Sequence, residues 1–157
     1  MNRILHVIQH GAYAGALATT AMTGVMKAGQ WTGFYHLDIA PKEITEVALD
    51  KAGLRQQMSE GEEIGLTAIN HWAYGMGGGA VFGLLRRRLD PPLPGAIQGI
   101  IFALGIWVIS YMGWVPAVGL MPAVWNQRPD RALELLLAHV VYGATLGFTF
   151  DALEHEQ

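Results

Sequence analysis

Along the chain, apolar residues run in four long blocks, and only the first connection between them is of any size. Ile64 to Leu85 carries no Asp, Glu, Lys or Arg, and neither does Pro91 to Gln127, which contains the apolar run Ala96 to Val115. A helix needs about 20 apolar residues to cross the hydrocarbon core of a bilayer, so each of these predicts a span. Ile4 to Met26 is diluted by His6, Gln9, His10 and several threonines, and Leu135 to Phe150 is short between Glu134 and Asp151. Both read as weaker spans whose ends tilt or snorkel. A soluble bundle would carry charges at every turn of its outer faces, and these blocks carry none. The pattern predicts an all-α integral membrane protein, a single domain over residues 1–157. Its four transmembrane helices should lie at about 4–29, 63–86, 94–115 and 132–153. A cleavable signal peptide is the alternative for the first block, with Ala16-Leu17-Ala18 resembling a cleavage site, but the apolar run continues past it to Met26.

The first connection, Lys27 to Glu63, is the one sizeable polar region. Within it Pro41-Lys42-Glu43 reads as a helix start, Ile44, Val47, Ala48 and Leu54 fall near one face, and Gly53 marks the stop. The segment 41–54 is therefore expected to be a short amphipathic helix, either lying on the membrane surface or solvated. Arg86-Arg87-Arg88 is the densest positive cluster in a short loop and assigns that loop, with both termini, to the cytoplasmic side. The connection with seven acidic and four basic residues then faces outward. Trp31, Trp114 and Trp125 would lie near the outer interface, where indole rings are favoured.

Two of the blocks share a spacing. Residues 71–82 read HWAYGMGGGAVF and residues 139–150 read HVVYGATLGFTF, which pairs His71 with His139, Tyr74 with Tyr142, Gly75 with Gly143, Gly79 with Gly147 and Phe82 with Phe150. These pairs are closer together in the chain than Gly11/Gly95 and Gly15/Gly99, so the connection within the second half is the shorter one. The chain thus reads as a 2+2 parallel tandem repeat, repeat one over 1–88 and repeat two over 92–157, related by an axis along the membrane normal. Chance similarity among glycine-rich runs is the alternative, stronger for the first spans than for the second. Gly75, Gly79 and Gly83, Gly143 and Gly147, Gly11 and Gly15, and Gly95 and Gly99 form small-residue strips that let helix backbones approach closely. Four such helices offer more small faces than one bundle can use, which predicts a homo-oligomer.

Candidate chemistry narrows to the polar residues inside the spans. His71 and His139 share a strip with the packing glycines, with Tyr74 and Tyr142 about one turn further in. Three roles stand open for the imidazoles: an interhelical hydrogen bond, a protonatable group in an aqueous path, or an axial or metal ligand. If the halves pack about a two-fold axis, the two histidines sit at equal depth and form a small polar cluster with the tyrosines, one whose protonation would change at about pH 6 to 7 unless burial shifts it. Asn70 has Ala138 as its counterpart, so the two sites are not equivalent. A catalytic zinc site would need a third ligand; His36 in the outer loop could approach, though nothing requires it. No phosphate-binding glycine loop, nucleophile triad or intramembrane carboxylate pair is found, so no catalytic residue, metal or cofactor is assigned and the chain reads as a non-enzyme. The absence of cysteine removes disulfide and thiol chemistry. A formal net charge of −3 without a basic patch argues against nucleic acid and leaves the lipid bilayer as the partner.

The stretches GAYAGALATTAMTGVMKAG, APKEITEVALDKAGL, NHWAYGMGGGAVFGLL, GIWVISYMGWVPAVGLMP and AHVVYGATLGF together resemble the YagU-like bacterial inner-membrane proteins of unknown function. Members of that family commonly carry Pro-Pro-Arg or Pro-Pro-Lys in the first loop, where this chain has Ala40-Pro41-Lys42. The resemblance implies a bacterial inner-membrane location and a link to acid tolerance, and it lends no catalytic residue. Two functions follow as expectations. One is a conduit for a small solute, ion or proton; the other is a structural or accessory protein whose buried His and Tyr only tie helices together.

Overall fold

The computed structural model describes residues 3–33, 38–89 and 92–155, and every regular element among them is helical. In chain order these are α1 (Arg3–Trp31), α2 (Ala40–Ala52), α3 (Glu60–Leu89), α4 (Gly95–Ala117) and α5 (Pro129–His155). Local chemistry sets the ends. Gly53 closes α2 in the left-handed region, at φ 69°. That conformation costs residues with a Cβ. Ser59 opens α3 as a capping box: its N–H and Oγ–H both donate to Glu62 Oε2 at 2.7 Å.

Helices α4 and α5 are long and apolar enough to cross a membrane. That alters the expected ranking of the blocks. The last one, read as short, extends over 27 residues, whereas α3 falls short of the same measure because glycines, Asn70, His71, Trp72 and Tyr74 dilute it. Large apolar side chains nonetheless point outward on all four long helices, among them Leu17 and Val25, Ile69 and Val81, Ile101 and Ile109, and Leu137 and Phe148.

The glycine strips set which helices touch. A Cβ added at Gly11 would strike the Gly79 carbonyl, and one at Gly15 the Gly75 carbonyl, so α1 and α3 run antiparallel at backbone contact. Helices α4 and α5 meet in the same way, Gly95 against Gly147 and Gly99 against Gly143. Gly83 is filled by Val7 and Phe150. Every glycine named from the sequence as a packing residue is therefore used inside one chain, which removes the argument that their surplus demands a homo-oligomer.

Helix α1 also packs along α5, but α3 makes no comparable approach to α4 among the described residues. The α3/α4 seam is instead closed by side chains: Phe82 packs at a tilt against Phe102 with centroids 5.4 Å apart, and Tyr74 lies 6.3 Å from Trp114, while Phe150 of α5 meets Phe82 edge-on at 5.7 Å. One end of the bundle is held by Arg86, which pairs with Asp151 and lies 5.5 Å over the Phe150 ring. Asp151 Oδ2 also accepts the first amide of α4, from Gly95, at 3.0 Å. The exposed Trp31, Trp114 and Trp125 gather at the opposite end.

Helix α2 lies at that opposite end, yet it is not the free surface helix expected at 41–54. Its apolar side, including Ala40 and Ile44, packs with Tyr111, Val115 and Leu135 at the bundle end. Protein therefore covers part of the face that lipid or water was expected to meet, at Ile44, while Ala48 and Leu54 stay exposed.

Candidate functional site

Beneath α2 the helices line a partly open cavity of about 290 Å³. Helix α1 contributes Thr19, Met22 and Met26, and α2 roofs the space with Pro41, Ile44, Thr45 and Ala48. From α3 come Thr67, Asn70, His71, Tyr74 and Gly75, and α5 adds His139 and Tyr142. The polar residues nominated from the sequence, Asn70, His71, Tyr74, His139 and Tyr142, thus all border one space. His36, the possible third ligand, lies outside the described residues, and no group of three metal-ligating side chains occurs among those described.

The fourth wall comes from a break in helical regularity. Within α4, Ile109–Trp114 forms a π-helical run and Gly113 departs from helical dihedrals. Pro116 accounts for this locally: it has no N–H for the carbonyl of Met112, and its ring crowds that carbonyl, so the preceding turn widens. The run places Ser110, Tyr111 and Trp114 on the cavity. The sequence pattern places a span at about 94–115 and carries no account of this irregularity within it.

The expected polar cluster is resolved into separate bonds. Tyr142 donates to the Gly75 carbonyl at 2.7 Å, tying α5 to the glycine strip of α3. Tyr74 pairs with Ser110 Oγ at 3.1 Å across the α3/α4 seam. His139, buried, places Nδ1 2.7 Å from the Leu135 carbonyl. Because a carbonyl only accepts, that nitrogen carries the proton. The Tyr111 ring meets His139 edge-on at 5.7 Å. His71 differs: its Nε2 is buried without a hydrogen-bond partner, and so is Thr67 Oγ1, one turn earlier on α3. The two histidines are inequivalent as Asn70/Ala138 suggested, and no bond joins either imidazole to a tyrosine among the described residues.

Sequence reading missed the ionic latch beside the cavity. Arg131, 4% exposed, reaches Glu134 on its own helix at 2.9 Å and Glu43 of α2 at 3.0 Å. Glu134, treated as a flanking charge, is 1% exposed. The i,i+3 spacing of Arg131 and Glu134 was the available signal. On its outward side α2 is polar: Lys42 pairs with Asp38 at 3.0 Å and with Glu46 at 3.6 Å, and these acids, Asp38 first, raise the lysine pKa.

The family model described as a family of unknown function, DUF6789, matches residues 5–157, and the chain belongs to that family. No curated protein and no solved structure matches it.

Proposed function

We propose that this member of the DUF6789 family is a four-span membrane protein, built as two tandem helix pairs, that binds a small amphiphilic molecule in the cavity beneath α2. One observation carries the reading: polar side chains from three helices, spread over the sequence from Asn70 to Tyr142, converge with aromatic and apolar walls on a single space. Pockets that bind small molecules have this make-up, mostly apolar with a few placed polar groups.

The membrane setting rests on the outward apolar side chains of all four long helices, which lipid would cover. The tandem origin rests on register. The contacts Gly11–Gly79 and Gly15–Gly75 in the first pair correspond, position for position, to Gly95–Gly147 and Gly99–Gly143 in the second. With Arg86 to Arg88 at the cytoplasmic end, α2 and the cavity lie toward the outer side. Single cysteines are clean probes in a chain that has none. In intact cells, positions 56–60 should react with an impermeant maleimide and positions beside Arg87 should not; the reverse pattern overturns the topology.

A through-conduit has less support, because the buried Phe82 and Phe150, with Phe102 against them, fill the half of the bundle below the cavity. A role confined to tying helices together explains Tyr142 and His139 but leaves Thr67 and His71 without purpose. The binding reading is tested by extracting the small molecules that co-purify from native membranes. Wild type should retain a species that an Ile44→Trp variant, filling the cavity from its roof, loses. Identical extracts from two folded proteins would refute binding at this site.

A further inference from the structure

Building on that reading, we infer that the occupant is a neutral head group of the quinone type, a planar ring with carbonyl oxygens on opposite edges, held by Thr67 and His71 and admitted from the bilayer between α3 and α4. Three observations point there.

First, the lining has no Asp, Glu, Lys or Arg among the described residues. A charged ligand would be desolvated with no counter-charge in the lining, since Arg131 beside it is already paired with Glu134 and Glu43; apolar surroundings penalise that heavily, so the ligand is neutral.

Second, two fully buried polar atoms of the lining residues stand without a partner. The hydroxyls or imidazole of Thr19, Thr45, Tyr74, Ser110, Tyr142 and His139 already have partners. Thr67 Oγ1 and His71 Nε2 have none, though both are buried and their residues line the cavity. The contrast for Thr67 is informative: Thr19, Thr20, Thr23 and Thr45 each donate to the carbonyl four residues back in their own helix, and Thr67 makes no such bond. The Thr67 hydroxyl can donate, and so can His71 in its Nε2–H tautomer, so together they can serve two acceptor oxygens. Four residues along a helix set their backbones about 6 Å apart in rise, the scale of the separation between oxygens on opposite edges of one six-membered ring. Tyr111, Tyr142 and Trp114 supply the aromatic walls against which such a ring packs.

Third, the cavity reaches the lipid-facing surface. Tyr74 and Trp114 both line it, yet they are 51% and 41% exposed. They stand on the seam where α3 and α4 meet through side chains. An apolar tail attached to the ring can pass into the hydrocarbon once this pair of side chains swings apart, with no backbone contact to break.

The test uses the purified full chain in lipid nanodiscs, with decylubiquinone as probe and decylbenzene, which has a comparable tail and no oxygens, as control. The readout is the thermal midpoint against probe mole fraction. Decylubiquinone should raise the midpoint of wild type and decylbenzene should not. Thr67→Val and His71→Leu should each weaken the quinone about tenfold, the scale of one lost buried hydrogen bond. Thr67→Ser, which keeps the hydroxyl, should bind as wild type does. Midpoints without probe identify any variant that fails to fold, and the Ser variant keeps the hydroxyl assignment testable in that event. Equal stabilisation by both probes, or quinone binding indifferent to Thr67→Val and His71→Leu, overturns the quinone assignment while leaving the cavity a binding site. No stabilisation by decylubiquinone overturns it too, whereas the binding reading stands or falls separately on the co-purification from Ile44→Trp.

Discussion

Gly147→Ala is the sharpest single perturbation of the fold. The new methyl would overlap the Gly95 carbonyl oxygen and crowd the Ala96 amide nitrogen, both of them backbone atoms that cannot swing aside as a side chain could. Inserting a methyl into such a contact costs up to about 3 kcal/mol when neighbours must shift. Alanine returns about 1 kcal/mol of helix propensity relative to glycine, so a net destabilisation of about 2 kcal/mol is expected. Gly77→Ala and Gly105→Ala supply the internal control. Nothing lies within 4 Å of either added Cβ. Only the propensity gain then applies, and stability should rise by up to about 1 kcal/mol. The same chemical change thus takes opposite signs, separated by about 3 kcal/mol on these two contributions. Equilibrium unfolding in mixed micelles, followed by circular dichroism, resolves a gap of that size. If Gly147→Ala proved as stable as Gly77→Ala, backbone contact between α4 and α5 would be wrong, and with it the glycine explanation of the fold.

Three further outcomes follow from the site and its borders. Arg131→Met leaves Glu134 buried and uncompensated. It should destabilise by about 3–5 kcal/mol in the same unfolding assay, and adding Glu134→Leu should recover most of the loss. Tyr142→Phe removes the hydrogen bond to the Gly75 carbonyl. That should cost about 1 kcal/mol, with the helices otherwise unchanged by circular dichroism. The Glu62 carboxylate is held below its ordinary pKa by the Ser59 amide and hydroxyl. Because its folded pKa is depressed, the stabilisation is present above the ordinary carboxylate value and is lost as pH falls through the folded one. Hydrogen exchange in the first turn of α3 should quicken over that acidic window, and Glu62→Gln should flatten the dependence.

The duplicated His-x-x-Tyr-Gly spacing and the glycine strips were legible because close helix contact restricts residue type so severely that it leaves a periodic trace. The same trace made Tyr142 and Gly75 conspicuous before their hydrogen bond was visible. What escaped was set by chain reversal rather than by period. Glu43 and Arg131 are far apart in the chain, and only the folding of α2 onto the bundle end brings them together. Thr67 was overlooked for a different reason: a lone threonine in a helix usually bonds to its own backbone, and its significance lies in a bond it does not make. The π-helical run in α4 was hidden because Pro116 reads equally as the end of a span.

The uneven seams of the bundle give it the mechanics of a book. Each helix pair is a stiff cover, since sliding α1 on α3 or α4 on α5 would drive carbonyl oxygens into neighbouring backbone. The spine is the α1/α5 contact, and the fore-edge is the α3/α4 seam, fastened by the Tyr74–Ser110 bond and tilted ring pairs, with Tyr142 reaching across to Gly75. Helix α2 acts as a strap over the top of both covers, joined through the Gly53 turn to one and through Glu43–Arg131 to the other. Opening along the fore-edge would break a few side-chain contacts and leave the glycine packing whole, so the lateral entry proposed above would load the cavity without loosening the fold that holds it.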